Sequence, residues 1–143
     1  MLKLAPLRSR PLNETFERST PLQSAFGSGV QHIAFATDDI FETAAAIKAN
    51  GVEILQIPEN YYDDLEAKID VEPALLDRMR EANILYDREG AAEYFQIYTQ
   101  TFDERFFFEI VQRRDYKGFG APNAQVRLTA QSRMARAPGV PRR

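Results

Sequence analysis

The alternation of apolar and polar positions divides the chain into short strands and short amphipathic helices. Residues 30–36 (VQHIAFA) alternate with period two between Gly27-Ser28-Gly29 and Thr37-Asp38-Asp39, which predicts a strand. His32 then shares a face with Val30, Ala34 and Ala36, while Ile33 and Phe35 point the other way. The larger apolar face is expected to meet a helix, and the smaller one to leave open space above His32. Asp39 followed by Glu42 is a capping box that starts a helix at Ile40, with Ile40, Ala44 and Ile47 as its apolar stripe and Gly51 as its left-handed stop. Residues 52–57 (VEILQI) predict a second strand, closed by Pro58. The pattern then turns helical. Asn60 caps a helix over 61–69 that turns Leu65 and Ile69 inward, and Pro73 opens a helix over 73–82 that buries Leu76 and Met79. Strands follow at 84–88, 94–99 and 106–111, and a last helix at 122–134. The fold class is α+β: a single βαβββ unit with a two-helix insertion.

Composition narrows the setting. The chain has no cysteine, which excludes disulfides and thiolate metal sites and fits a reducing, cytoplasmic compartment. No apolar run reaches the length of a membrane span, and no signal-peptide core follows Met1. A net charge of −3 gives no general case for nucleic acid. Charge is uneven, however. No acidic residue follows Asp115, yet Lys117, Arg127, Arg133, Arg136, Arg142 and Arg143 do. The expected organisation is an N-terminal arm over 1–28, interrupted by Pro6, Pro11 and Pro21, a module over 29–114, and a C-terminal basic helix and tail over 115–143, which reads first as solvated and otherwise as a contact for phosphates or anionic substrates.

Three residues stand out as candidate chemistry. His32 is the only histidine, and by itself it reads as readily as a structural histidine as a ligand. Glu109 interrupts an apolar strand, on the face of Phe107 and Val111. A carboxylate buried there without a partner costs several kcal/mol. It therefore lies at a rim, pairs with Arg105 or Arg113, or binds a cation. Gln96 sits between Tyr94 and Tyr98, either facing solvent or hydrogen-bonding inside a pocket; on pattern alone the solvent position leads.

Several blocks carry a resemblance. Residues 29–34 (GVQHIA), 58–62 (PENYY), 95–99 (FQIYT), 107–113 (FFEIVQR) and 118–123 (GFGAPN), with Pro11-Leu12-Asn13-Glu14 upstream, follow in the order seen in 4-hydroxyphenylpyruvate dioxygenases. The chain resembles the C-terminal half of that family, within the vicinal-oxygen-chelate superfamily. Thr37-Asp38-Asp39, residues 60–64 and residues 106–114 resemble in particular the dioxygenase-like domain fused behind the sugar-isomerase-like barrel of bacterial 3-dehydroshikimate dehydratases.

The resemblance implies a non-haem Fe(II) centre held by two histidines and a glutamate, with open positions for a 2-oxo acid and O₂. His32 matches the second histidine and Glu109 the glutamate. The first histidine belongs to a preceding repeat that these 143 residues do not contain, so one copy cannot assemble the triad. Pairing of two modules in a homodimer completes the sheet and brings two imidazoles and two carboxylates to a shared site. Fe(II) is the first expectation for the divalent metal, with Mn, Zn, Ni and Mg left open.

Gln96, Asn13 and Phe107 match positions near the aromatic substrate. Gln31 matches too, although the pleat turns it from His32. Ala124 stands where the family has a phenylalanine over the substrate ring, and the helix over 122–134 corresponds to the one covering the pocket. Three functions follow: an oxygenase that oxidatively decarboxylates an aryl 2-oxo acid, a Lewis-acid or inactive metal module, or an accessory domain docked on a separate dehydratase barrel.

Overall fold

The computed structural model describes residues 30–102 and 106–134. The arm with Asn13, Arg105, and the tail beyond Met134 lie outside them. Strand β1 (His32–Ala36) leads into helix α1 (Ile40–Ala49). Helices α2 (Glu59–Lys68) and α3 (Pro73–Ala82) follow, then strands β2 (Leu85–Glu89), β3 (Ala92–Tyr98) and β4 (Phe107–Arg114), and helix α4 (Asn123–Met134). The four strands form one mixed sheet in the order β1-β4-β3-β2, with β1 and β4 parallel and the other pairs antiparallel. This is the α+β, βαβββ arrangement expected, and it does not close into a barrel.

Local chemistry explains the helices. Asp39 accepts hydrogen bonds from the Phe41 and Glu42 amides at 2.9 and 3.0 Å and so caps α1. Pro73 begins α3 behind Glu72, whose carboxylate caps the Ala74 and Leu75 amides. Asn83 ends α3 in the left-handed region, where its side chain also takes the Ile57 amide at 2.8 Å. Helix α2 begins one residue before Asn60, because Pro58 is already extended and leads straight into Glu59. Asn60 therefore caps nothing, and Tyr62 and Leu65 form the buried face, with Ile69 left as the C-cap.

The strand expected at 52–57 is reduced to a single bridge, Ile54 to Thr99. Strand β2 already occupies the edge of β3 from Ala92 to Gln96. The VEILQI segment finds only the end of β3 free, where the Leu55 amide meets the Tyr98 carbonyl at 2.8 Å. Leu55 and Ile57 still enter the core.

The sheet has two faces. Phe95, Ile97 and Ile110 lie on one and meet α1, with the Phe41 ring set edge-on to Phe95. Ile33 and Phe35 share that face but keep 42% and 38% of their surface exposed, because α1 packs over β3 and β4 rather than over β1. The helix expected on the larger apolar face of β1 thus stops short of it. On the opposite face the register sets His32 beside Phe107, Ala34 beside Glu109, Gln96 beside Val111 and Tyr98 beside Glu109.

Gln112 locks α1 to the sheet: its side chain accepts the Ile40 amide at 3.1 Å and donates to the Asp38 carbonyl at 2.7 Å. Gln112→Ala orphans the buried Ile40 amide and takes the partner from the part-buried Asp38 carbonyl. We expect a loss of about 1–3 kcal/mol, measured as a lower urea midpoint at unchanged slope.

Candidate functional site

The face opposite α1 places a buried carboxylate on a central strand. Glu109 sits on β4 between β1 and β3, 7% exposed. At that depth a bare carboxylate is unstable, so the neighbouring strands must supply donors. Its Oε1 receives the Gln96 Nε2 at 2.8 Å and the hydroxyls of Tyr94 and Tyr98, each at 3.4 Å. Its Oε2 faces the His32 Nε2 at 3.5 Å, too far for a well-formed hydrogen bond. One oxygen is held by the fold, and the other is left toward an imidazole that is 39% exposed. His32 is itself stacked on Phe107, with ring centroids 5.1 Å apart and planes 5° from parallel.

The pairing with Arg113 considered for Glu109 does not occur. The Arg113 guanidinium lies 4.7 Å from the Tyr94 ring centroid and reaches the Tyr94 hydroxyl at 3.4 Å. Gln96 is 1% exposed and faces this cluster, not solvent.

A directed hydrogen-bond relay supports the cluster from behind. The Tyr86 amide donates to the Tyr61 hydroxyl at 2.8 Å, and that hydroxyl lies 3.1 Å from the Asn123 Oδ1. Asn123 Nδ2 donates to Gln96 Oε1 at 2.8 Å, which turns the Gln96 amide nitrogen toward Glu109 and, at 3.0 Å, toward the Tyr98 hydroxyl. Asn123 is 2% exposed and opens α4. It belongs to the GFGAPN block, yet its type and position gave no separate signal.

Gly120, in the same block, has φ +62°. A Cβ there clashes with Gln96 Oε1 and meets Tyr94 Cε1 at 2.6 Å, so only glycine lets the loop close over these side chains. Arg127, expected in a solvated basic segment, instead turns its guanidinium over Phe107 and Tyr98, 4.9 and 5.7 Å from their centroids.

The remaining candidates divide. Phe107 is buried in the cluster. Gln31 is exposed; its backbone carbonyl takes the Phe107 amide at 3.1 Å, and its side chain forms no hydrogen bond with the cluster among the described residues. Ala124 is half-buried beside Asn123. Among the described residues no third histidine, aspartate or glutamate joins His32 and Glu109.

Burial first, and the Glu109 carboxylate second, push the Tyr94 and Tyr98 hydroxyls well above their usual range. Burial raises Tyr61 and Tyr62 likewise.

The sequence and the fold have relatives among known proteins. A profile of the Glyoxalase/Bleomycin resistance protein/Dioxygenase superfamily matches residues 2–91. The chain is 46% identical over 145 residues to a 3-dehydroshikimate dehydratase of Pseudomonas putida, covering 93% of this chain and 23% of that protein. It is 34% identical to a 4-hydroxyphenylpyruvate dioxygenase of Pseudomonas aeruginosa, covering 79% and 33% respectively. Among solved structures, a xylose isomerase-like TIM barrel/4-hydroxyphenylpyruvate dioxygenase fusion protein superposes with a TM-score of 0.75 at 48% identity over 81% of this chain and 20% of that one. The chain thus spans about a fifth to a third of the length of these relatives.

Two outcomes test the cluster. Gly120→Ala adds a clash at left-handed φ and should cost about 1–3 kcal/mol, read by thermal or urea unfolding, with a change in the near-ultraviolet tyrosine signal. The raised tyrosines set an alkaline limit. Well below pH 10.0 they are neutral in both folded and unfolded chains and add no pH dependence. Above it the unfolded chain loses protons that the fold retains, so stability falls as pH rises. Tyrosinate absorbance of these residues is expected to appear with unfolding rather than before it.

Proposed function

The chain belongs to the Glyoxalase/Bleomycin resistance protein/Dioxygenase superfamily, and from that premise we propose that it is a divalent-metal module of the hydroxyphenylpyruvate dioxygenase type, completed by a second module. The observation that carries this is the convergence of His32 Nε2 and Glu109 Oε2 at 3.5 Å on one face of the sheet. Two donors bonded at 2.0–2.2 Å to one ion lie about 3.0–3.5 Å apart for angles between square and tetrahedral. The chemistry of the pair also fits: an imidazole nitrogen and a carboxylate with one free oxygen suit Fe(II), Mn, Zn, Ni or Mg, Fe(II) first. Bound there, such a metal supplies a chelation point for a 2-oxo acid and, as iron, activation of O₂.

The protein's own residues have separate tasks. Gln96, Tyr94 and Tyr98 hold Glu109 by one oxygen so that the other stays directed at His32. The stack on Phe107 fixes the imidazole plane. Asn123 and Tyr61 keep the Gln96 amide from flipping, since reversal would set nitrogen against nitrogen at Asn123. Gln96 and Phe107 are the residues we assign to substrate contact, with Asn13 and Gln31 as further candidates.

One copy offers two ligands, so the reading requires more. Among the described residues β1 is an edge strand, with Val30, Ile33, Phe35 and Phe102 exposed around it. Such an edge invites pairing, and a second copy related by a two-fold supplies a second His32 and Glu109. The absence of cysteine favours a cytoplasmic setting.

A second reading is favoured by the relatives. Those at 46% and 48% identity are 3-dehydroshikimate dehydratases, and a solved relative at 48% identity is a barrel fusion. On that reading the chain is an accessory domain associated with a sugar-isomerase-like barrel and has no oxygenase activity of its own.

Metal content and solution mass, measured together, separate the readings. The first expects metal bound by a dimer, lost in His32→Ala, and O₂ consumption with an aryl 2-oxo acid. Unaltered metal content in His32→Ala rejects the site. Metal bound without O₂ consumption, together with stable capture by a dehydratase barrel, supports the second.

A further inference from the structure

Arg127 is a half-buried cation beside the Glu109 cluster. It follows Asn123 by one helical turn on α4, so the two share a face, and Asn123 reaches into the cluster at Gln96. Its Nη1 donates to Gln131 at 2.8 Å, and among the described residues it forms no ion pair. Its other neighbours are the faces of Phe107 and Tyr98, the rings that also contact His32 and Glu109. A guanidinium withdrawn from water in this way retains unused donors in a planar fork suited to a carboxylate. Ala124, three residues before it, adds little bulk to the same side of the helix.

We propose that Arg127 selects ligands bearing a carboxylate in addition to the oxygen pair that chelates the metal. This rests on the reading of His32 and Glu109 as the chelating centre. The cluster is bipolar: the free Glu109 oxygen and the imidazole lie at one end, and the guanidinium, set over the Phe107 and Tyr98 rings, lies at the other. A ligand with two chelating oxygens and a separate acid group satisfies both ends. One whose only charge is consumed at the metal leaves the cation unpaired, and its affinity is lower.

The test uses the full chain loaded with Mn(II), titrated calorimetrically with 3,4-dihydroxybenzoate and with catechol, which lacks only the carboxylate. The wild type is expected to prefer the acid by about tenfold, the scale of one charge-assisted contact. Arg127→Gln is expected to abolish that preference while keeping the same metal content. Arg133→Gln, which removes an exposed charge from the same helix, is expected to keep it. Arg127→Lys keeps the charge without the fork and should retain a reduced preference.

Equal affinity of the metal-loaded wild type for the two probes, or binding of neither, overturns the proposal. So does a preference that survives Arg127→Gln or is lost equally in Arg133→Gln. Failure of the wild type to take up metal is a different result. It removes the chelating centre itself, and this proposal with it.

Discussion

A carboxylate placed on the central strand of a small sheet is the constraint from which the rest of this site follows. Glu109 cannot be buried bare, and β4 carries it between two neighbours, so the donors must come from β1 and β3. The fold meets the requirement unevenly. Gln96 and two tyrosines crowd one oxygen, while the other has only His32, held at a distance too long for a good hydrogen bond. A purely structural glutamate gains from having both oxygens donated to. The asymmetry leaves an acceptor facing an imidazole at 3.5 Å, a spacing that two ligands of one cation also have.

The same constraint organises residues far along the chain. Gln96 supports Glu109 only in one amide orientation, and Asn123 fixes that orientation from α4. Tyr61 in turn ties Asn123 to α2 and to the backbone of β2. Gly120 allows the loop before α4 to lie against Gln96 and Tyr94. The helical insertion and the C-terminal helix, which as fold elements are peripheral to a βαβββ unit, therefore reach the site through hydrogen bonds. Helix α3 contributes by holding α2, with Arg80 bridging to Glu59 and Asp63.

Much of this was legible in the sequence, and the misses have physical causes. The capping residue Asp39, Pro73 at the first turn of α3 and the alternation in β3 and β4 are local signals, and local signals survived. The VEILQI segment has strand composition, but pairing depends on a free neighbouring edge, and β2 had taken it. Asn60 looked like a cap until Pro58 began the helix earlier. Gln96 leaned toward solvent by pattern because the tyrosines flanking it read as amphipathic. Its burial depends on α4 and the Gly120 loop, which period-two reasoning does not see. Arg127 read as part of a solvated tail because its charge sign, and not its position one turn after Asn123, dominated the pattern.

The central claim is that His32 and Glu109 meet over a cation rather than over each other. Anomalous diffraction from crystals of the metal-loaded protein tests it most directly. An ion is expected within about 2.0–2.2 Å of both His32 Nε2 and Glu109 Oε2, with Glu109 Oε1 still held by Gln96. An ion bound elsewhere, with the imidazole hydrogen-bonded directly to the carboxylate, contradicts it.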